Sequence, residues 1–184
     1  MEILILLAVL SGLATAFFFK RGGIYNPIAL ETPTSPVAPS KLAEPPVEPL
    51  DFSTPQRAYH SVRAICDEMG LPLEKTVVVE DMGHFMPKDI ICACIYQESQ
   101  FDNRAVGKNK NSTDWGIAQV NDYWHVGKGK QFPSVEYVVL NPEICVRWMI
   151  NCYLQGDLYM WSSYKTGAYK KWLSPGSKMR ALKQ

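Results

Sequence analysis

The spacing of apolar residues predicts a first helix that begins at residues 54–55. Thr54 is a suitable N-cap, and Pro55 is favoured at the first helical position. Apolar side chains then recur every three or four residues, at Val62, Ile65, Cys66 and Met69. Gly70 and a proline two positions later end the helix. For residues 76–79 the pattern fits either a short strand or the edge of a helix.

A second predicted helix begins at Pro87 and ends close to a carboxylate. Its buried face consists of four residues, Ile90, Ile91, Cys94 and Ile95. Glu98 lies one turn beyond Cys94 on the same face. A carboxylate on a buried face is costly unless it is paired or used, so the pattern marks Glu98 as a candidate functional residue. An apolar helix end beside a polar turn is also a setting in which proteins build acids that stay protonated near neutral pH.

The polar stretch after the second helix predicts irregular structure, and helices follow it. Residues 103–114 indicate a loop or irregular hairpin, and residues 115–121 a short strand or a turn leading into a helix. A third helix starts at residues 141–143, Asn-Pro-Glu, and ends at Gly156. Its shared face consists of Cys145, Trp148, Met149 and Cys152. A last helical stretch is marked by Leu158, Trp161, Tyr164 and Trp172.

These elements predict a mainly α (α+β) domain over residues 55–184, with a cleft between the helices and a small β or irregular lobe. Residues 23–54 predict an extended linker, because they hold more than half of the 13 prolines.

Residues 3–19 are uncharged and apolar, and their number is at the short end of what a membrane span needs. No Lys or Arg precedes that run, which argues against a signal peptide. We therefore predict a transmembrane anchor over residues 1–22.

Composition narrows the possible functions. A net charge of +1 argues against nucleic acid as a partner. The five cysteines are compatible either with buried thiols or with one or two disulfides. Their spacing, with three scattered histidines, does not fit a zinc site. We expect neither a metal nor a cofactor.

The strongest motif covers residues 98–124. It begins with Glu-Ser-x-Phe at Glu98 and continues with Ser-Thr-Asp-Trp-Gly-Ile-x-Gln-Val-Asn at residues 112–121. This order resembles the core of the lysozyme-like superfamily, in particular soluble lytic transglycosylase-type domains. The second part is also similar to the Ser-Thr-Asp-Tyr-Gly-Ile-x-Gln-Ile-Asn stretch of c-type lysozymes. A weaker resemblance covers residues 141–148 and 161–167. In the latter, Lys165 stands where the transglycosylase motif Ala-Tyr-Asn-x-Gly has Asn.

The resemblance implies three catalytic candidates. Glu98 matches the acid that protonates the glycosidic oxygen and then acts as a base; the alternative is an ion pair with Arg104 or Lys108. Asp114 aligns with the second carboxylate of c-type lysozymes, and the alternative is an Asp that holds the turn through backbone amides. Tyr164 matches a transglycosylase tyrosine near the acid, and the alternative is a core aromatic residue.

Four further residues are predicted to bind substrate. Gln119 and Asn121 match amides of the family's cleft, where they contact N-acetyl groups or orient the acid. Ser99 matches a position that hydrogen-bonds near the acid, or it caps the helix. Trp115 is expected to contribute an aromatic surface to a sugar-binding cleft.

The predicted function is cleavage of the β-1,4 bond between N-acetylmuramic acid and N-acetylglucosamine in peptidoglycan. We predict a lytic transglycosylase, because the motif at Tyr164 belongs to transglycosylase-type domains. Such an enzyme needs only Glu98 and forms a 1,6-anhydro product, so Asp114→Asn should cost far less than Glu98→Gln. The first alternative is a lysozyme-type hydrolase that uses Glu98 and Asp114. The second is a non-catalytic component that binds peptidoglycan in a particle or a secretion apparatus.

The predicted location is a membrane, with the catalytic domain facing the cell wall. Lys20 and Arg21 follow the apolar run and favour a cytoplasmic C-terminal side, which conflicts with that placement. A virion membrane of a phage would remove the conflict. The expected partners are peptidoglycan strands, the membrane, and other virion or secretion-apparatus proteins.

Overall fold

The computed structural model describes residues 49–71, 76–80 and 82–183. Over these residues the fold is mainly helical with two small antiparallel sheets. The helices are α1 (Pro55–Glu68), α2 (Pro87–Ser99), α3 (Asp122–His125), α4 (Val135–Leu140), α5 (Pro142–Gln155), α6 (Ser162–Lys165), α7 (Lys170–Leu173), α8 (Lys178–Ala181) and a 3-10 helix (Leu158–Met160). The strands are β1 (Val77–Val79), β2 (Gly83–Phe85), β3 (Val106–Lys108), β4 (Thr113–Trp115) and β5 (Val120–Asn121).

The predicted anchor at residues 1–22 and most of the predicted linker lie outside the described residues. Among the helices that the structure does describe, none has the length and apolar character needed to cross a membrane.

Helix α1 begins where the sequence predicts. The side-chain oxygen of Thr54 accepts a hydrogen bond from the backbone N–H of Arg57 at 3.3 Å, which caps the first turn. Val62, Ile65 and Cys66 are fully buried on its inner face. The chain then leaves the helix at Gly70, whose positive φ of 70° is a conformation that favours glycine.

Helix α2 is the central helix, because it packs against α1, α6 and α7. Its residues 90–95 are all buried, which accounts for the apolar run in the sequence. The helix ends in two left-handed residues, Gln100 and Phe101. Ser99 fixes this end: its hydroxyl donates to the carbonyl of Ile95 and accepts from the N–H of Phe101, both at 3.2 Å. The chain direction after Glu98 is thereby determined.

The two sheets resolve the regions where the sequence left alternatives. Residues 77–79 form strand β1, which pairs with β2. Strands β3, β4 and β5 form a three-stranded antiparallel sheet in that order, so of the two alternatives for residues 103–114, a loop or an irregular hairpin, the structure has the hairpin. Asp114 on the central strand lies opposite Gly107 on one side and Asn121 on the other.

The third predicted helix is confirmed as α5, and Gly156 ends it with a φ of 83°. The last aromatic-rich stretch, however, is not one helix. It consists of the 3-10 helix and short helices that begin with α6. Trp161 interrupts it with an extended backbone, and Gly167 has a φ of 73°. The indole N–H of Trp161 donates to the carbonyl of Ala118 at 2.7 Å, and this tertiary bond holds the break in place.

All five cysteines are free and buried. Of the two alternatives, buried thiols or disulfides, the structure therefore has buried thiols. Burial raises the pKa of every one of these thiols. A buried thiol with a raised pKa holds little thiolate at neutral pH and reacts slowly. The cysteines are therefore part of the hydrophobic core.

Candidate active site

A cleft of 320 Å³ opens where the end of α2 faces the three-stranded sheet. Glu98 contributes from the helix, and Asp114, Gln119 and Asn121 contribute from the sheet and its turn. Four of the seven predicted site residues therefore lie in one cleft. A larger hollow of 590 Å³ lies elsewhere, beside Phe52. Its one carboxylate is exposed, so it lacks the half-buried acid that distinguishes the cleft.

Glu98 is half-buried, and its contacts differ from those of a surface ion pair. Its Oε1 accepts a hydrogen bond from the backbone N–H of Ser163 at 3.2 Å. Among the described residues it has no salt-bridge partner, so the alternative in which Arg104 or Lys108 neutralises it is not observed. A half-buried carboxylate held by a single amide can exchange a proton with a group in the cleft.

Asp114 is held in the cleft by two side-chain amides. Its Oδ1 accepts from Nδ2 of Asn121 at 2.6 Å, and its Oδ2 accepts from Nδ2 of Asn109 at 2.8 Å. Its hydrogen bonds among the described residues are thus to side chains, and the turn-holding backbone bonds considered as an alternative are not found there. One donor to each oxygen fixes the orientation of this carboxyl group in the cleft. Asn109, which lies in a polar hairpin without a motif, was not predicted from the sequence.

Gln119 is fixed by the turn that carries it. It has a left-handed backbone with φ of 48°, and its Nε2 donates to the carbonyls of Ala105 at 3.2 Å and Gly116 at 3.0 Å. Its Oε1 lies so close to Gly107 that a Cβ there would come within 2.5 Å of it. Position 107 therefore requires glycine for the amide to keep its place.

Trp115 is not among the residues that line the cleft, and it stabilises the sheet through a hydrogen bond to Asp122. Its indole N–H donates to Oδ2 of Asp122 at 3.3 Å, and Oδ1 of Asp122 accepts from the N–H of Thr113 at 2.9 Å. The hydrogen bond from Thr113 is the largest cause that lowers the pKa of Asp122. The structure thus does not bring Trp115 to the site where the sequence prediction put it.

Ser99 and Tyr164 also lie away from the cleft lining. Ser99 caps the end of α2, which was the alternative considered for it. Tyr164 is half-buried and stacks on Tyr169, with ring centroids 5.4 Å apart and an interplanar angle of 19°. Its helix α6 contacts α2, but the phenol is not among the described residues that line the cleft.

Aromatic side chains from three separate elements complete the cleft. We call Trp124, Trp148 and Trp161 the aromatic cluster; all three line the cleft. The ring centroids of Trp148 and Trp161 are 5.0 Å apart, and the indole of Trp124 is 69% exposed. Sequence reasoning assigned Trp148 and Trp161 to helical faces and did not predict that they meet at the acid.

His125 is a further cleft residue that the sequence did not reveal. Its ring lies against Trp148 with centroids 4.9 Å apart. Burial and then the charge of Lys130 lower the pKa of His125, and the charge of Asp114 opposes them. The imidazole is consequently neutral at neutral pH, with one N–H donor and one acceptor nitrogen for a polar ligand.

Within residues 49–71, 76–80 and 82–183, no three His, Cys, Asp or Glu side chains lie close enough together to hold a metal ion. The polar lining of the cleft consists of carboxylates, amides, one imidazole and the serine Ser162. This donor set suits direct hydrogen bonding to a neutral polar ligand.

Comparisons of the chain with family models, curated proteins and solved structures find no match.

Proposed function

We propose that this protein cleaves β-1,4 glycosidic bonds of peptidoglycan, with Glu98 as the general acid. The observation that carries the proposal is the position of Glu98. It ends a buried helix, lacks a salt-bridge partner among the described residues, and opens into a cleft lined by amides and indoles. Structural carboxylates are normally paired or exposed, so a half-buried carboxylate with a single amide donor is better explained by a chemical role.

The geometry supports an acid at a fixed position and angle. The Ser163 amide holds Oε1 of Glu98, which leaves Oε2 to carry the proton that a leaving-group oxygen would receive. The bond from the sugar to that oxygen then breaks with positive charge developing on the ring. Asp114 shares the cleft, and two amide donors hold its carboxylate in place. Its negative charge would stabilise that developing positive charge.

The remaining lining is suited to an N-acetylated glycan. Sugar rings present apolar faces that pack on indoles, and their acetamido and hydroxyl groups need paired donors and acceptors. The aromatic cluster supplies such faces, and Gln119, Asn121 and His125 supply polar atoms. The lysozyme-like resemblance of residues 98–124 points to the same substrate class.

Two placements favour the hydrolase over the lytic transglycosylase. Asp114 has its side chain in the cleft, as a second carboxylate should. Tyr164, whose motif was the reason to prefer the transglycosylase, stacks on Tyr169 and is not among the cleft-lining residues. The transglycosylase remains the second candidate, because Glu98 alone suffices for its chemistry. The membrane anchor, the virion or secretion-system setting and the partners within it are proposals from the sequence.

Product analysis tests the proposal directly. The full chain is incubated with purified peptidoglycan sacculi, and the released muropeptides are identified by mass spectrometry. We expect muropeptides with free reducing ends. 1,6-Anhydro ends would favour the transglycosylase, and binding without released muropeptides would favour a non-catalytic component.

Trp124→Ala is expected to weaken substrate binding without weakening the fold. The exposed indole stacks edge-on against Tyr123, and it lines the cleft. Loss of one stacking surface worth ~1 kcal/mol should raise KM about fivefold. Tyr159→Ala is the matched control, because Tyr159 is 58% exposed and is not among the cleft-lining residues. Equal KM values in the two variants would contradict a role of Trp124 in binding.

A further inference from the structure

An unusual serine lies next to Glu98, behind the residues that line the cleft. The side chain of Ser163 is buried, with 2% of the residue exposed. Its hydroxyl has no hydrogen-bond partner among the described residues, although the backbone N–H of the same residue donates to Glu98. Leaving a buried hydroxyl unpaired destabilises a folded protein. An unpaired polar group of this kind in a folded protein therefore calls for an explanation, and a catalytic role is one of the recognised ones.

The surroundings of this hydroxyl are polar and closed. Cys94 lies one turn before Glu98 on α2 and is fully buried. Burial is the largest cause that raises the pKa of the Cys94 thiol; the charge of Glu98 adds to it, and the nearby Ser163 hydroxyl opposes it. Thiol, hydroxyl and carboxylate thus adjoin one another beneath the cleft, although the hydroxyl forms no hydrogen bond of ordinary geometry there.

The hydroxyl is also within reach of Glu98. In a staggered serine rotamer the backbone nitrogen and Oγ are ~3 Å apart. An acceptor that lies 3.2 Å from the nitrogen of Ser163, as Oε1 of Glu98 does, can therefore be approached by Oγ after rotation about one bond.

We infer that Ser163 is a positioning residue whose hydroxyl donates a second hydrogen bond to Glu98 when that carboxyl group loses its proton. The inference rests on the proposed function. As the glycosidic bond breaks, the proton passes from Glu98 to the leaving oxygen, and the electron pair of the broken bond stays on that oxygen. Ser163 transfers no proton; it stabilises the carboxylate left behind. A bond made only to the charged form is stronger in the transition state than in the ground state, so it lowers the barrier.

Kinetics of Ser163 variants test the role in the reaction. We expect Ser163→Ala to lower kcat about tenfold with an unchanged KM, because a hydrogen bond to a developing charge is lost. Ser163→Thr, which keeps the hydroxyl, should restore most of kcat. Ser61→Ala is the control: Ser61 is also buried, but its hydroxyl bonds to the backbone of Asp51. A kcat within twofold of wild type for Ser163→Ala, or a Ser163→Thr variant that folds but is no faster, would overturn the role.

A double-mutant cycle tests the contact without any substrate. Urea unfolding is measured at pH 8, above the ordinary range of carboxyl groups, for Ser163→Ala, Glu98→Ala and the double variant. We expect the double variant to lose less stability than the sum of the single losses, whereas Ser61→Ala and Glu98→Ala should be additive. Additive Ser163 and Glu98 losses would refute the contact. Coupling in a protein that cleaves no peptidoglycan would instead leave the contact standing and overturn the proposed function.

Discussion

Glu98→Gln should lower the rate of peptidoglycan cleavage at least ~10²-fold, the usual contribution of a general acid. Glutamine matches the size of glutamate, and its carbonyl oxygen can still accept the hydrogen bond from the Ser163 amide. The substituted side chain cannot supply a proton to a leaving oxygen, so the chemistry is lost while the geometry is kept. The rate is measured as lysis of purified sacculi, and urea unfolding measures stability in parallel.

The matched control for this variant is Glu136→Gln. Glu136 is an exposed carboxylate in the first turn of α4 and does not line the cleft. It should change neither the rate nor the unfolding midpoint appreciably. If Glu98→Gln lyses sacculi within a few-fold of wild type, another group donates the proton and the proposed role of Glu98 is wrong.

The position of Glu98 was predictable because it follows from local patterns. Two local signals predict helix α2: Pro87 in its first turn and an unbroken apolar run after it. Periodicity alone then puts Glu98 one turn beyond Cys94 on the buried face. Helices α1 and α5 were predicted for the same reason, since Thr54, Pro55 and Gly156 act on their own neighbours.

The partners of Glu98 were not predictable from such patterns. Ser163, which binds Glu98, lies 65 residues after it in the sequence. Trp148 lines the cleft from helix α5, whose apolar face also packs in the core. Asn109 binds Asp114 across a hairpin turn whose shape the polar sequence does not specify. Long-range contacts of this kind depend on how whole helices and strands pack against one another. The periodicity of apolar residues in the sequence does not specify that packing.

A motif also gives the order of residues without giving the direction of their side chains. Trp115 directly follows Asp114, yet successive residues of a strand point to opposite faces. Asp114 consequently lines the cleft while Trp115 binds Asp122 on the other side. Ser99 follows Glu98 on a helix, where the next residue is rotated by about 100°, and it caps the helix end instead.

Asp114→Asn should lower the cleavage rate by about 10²-fold or more, if the hydrolase is correct. Its charge then stabilises a positively charged transition state, and loss of one electrostatic group in such a site costs ~2.7–4 kcal/mol. A structural cost is also expected, since both oxygens accept from amide donors. The amide nitrogen of the new asparagine would face one of those donors and leave it unpaired, which costs about 1–3 kcal/mol of stability.

Asp122→Asn separates the two costs of Asp114→Asn, because Asp122, at the start of α3, binds the same strand β4 but has only a structural role. It accepts from the Thr113 amide and the Trp115 indole, and it does not line the cleft. We expect Asp122→Asn to lower the unfolding midpoint as Asp114→Asn does, with a rate near that of wild type. An Asp114→Asn enzyme that keeps its rate within a few-fold and releases 1,6-anhydro ends would instead assign the reaction to Glu98 alone. In that case Asp114 would hold Asn109 and Asn121 in place, and the protein would act as a lytic transglycosylase.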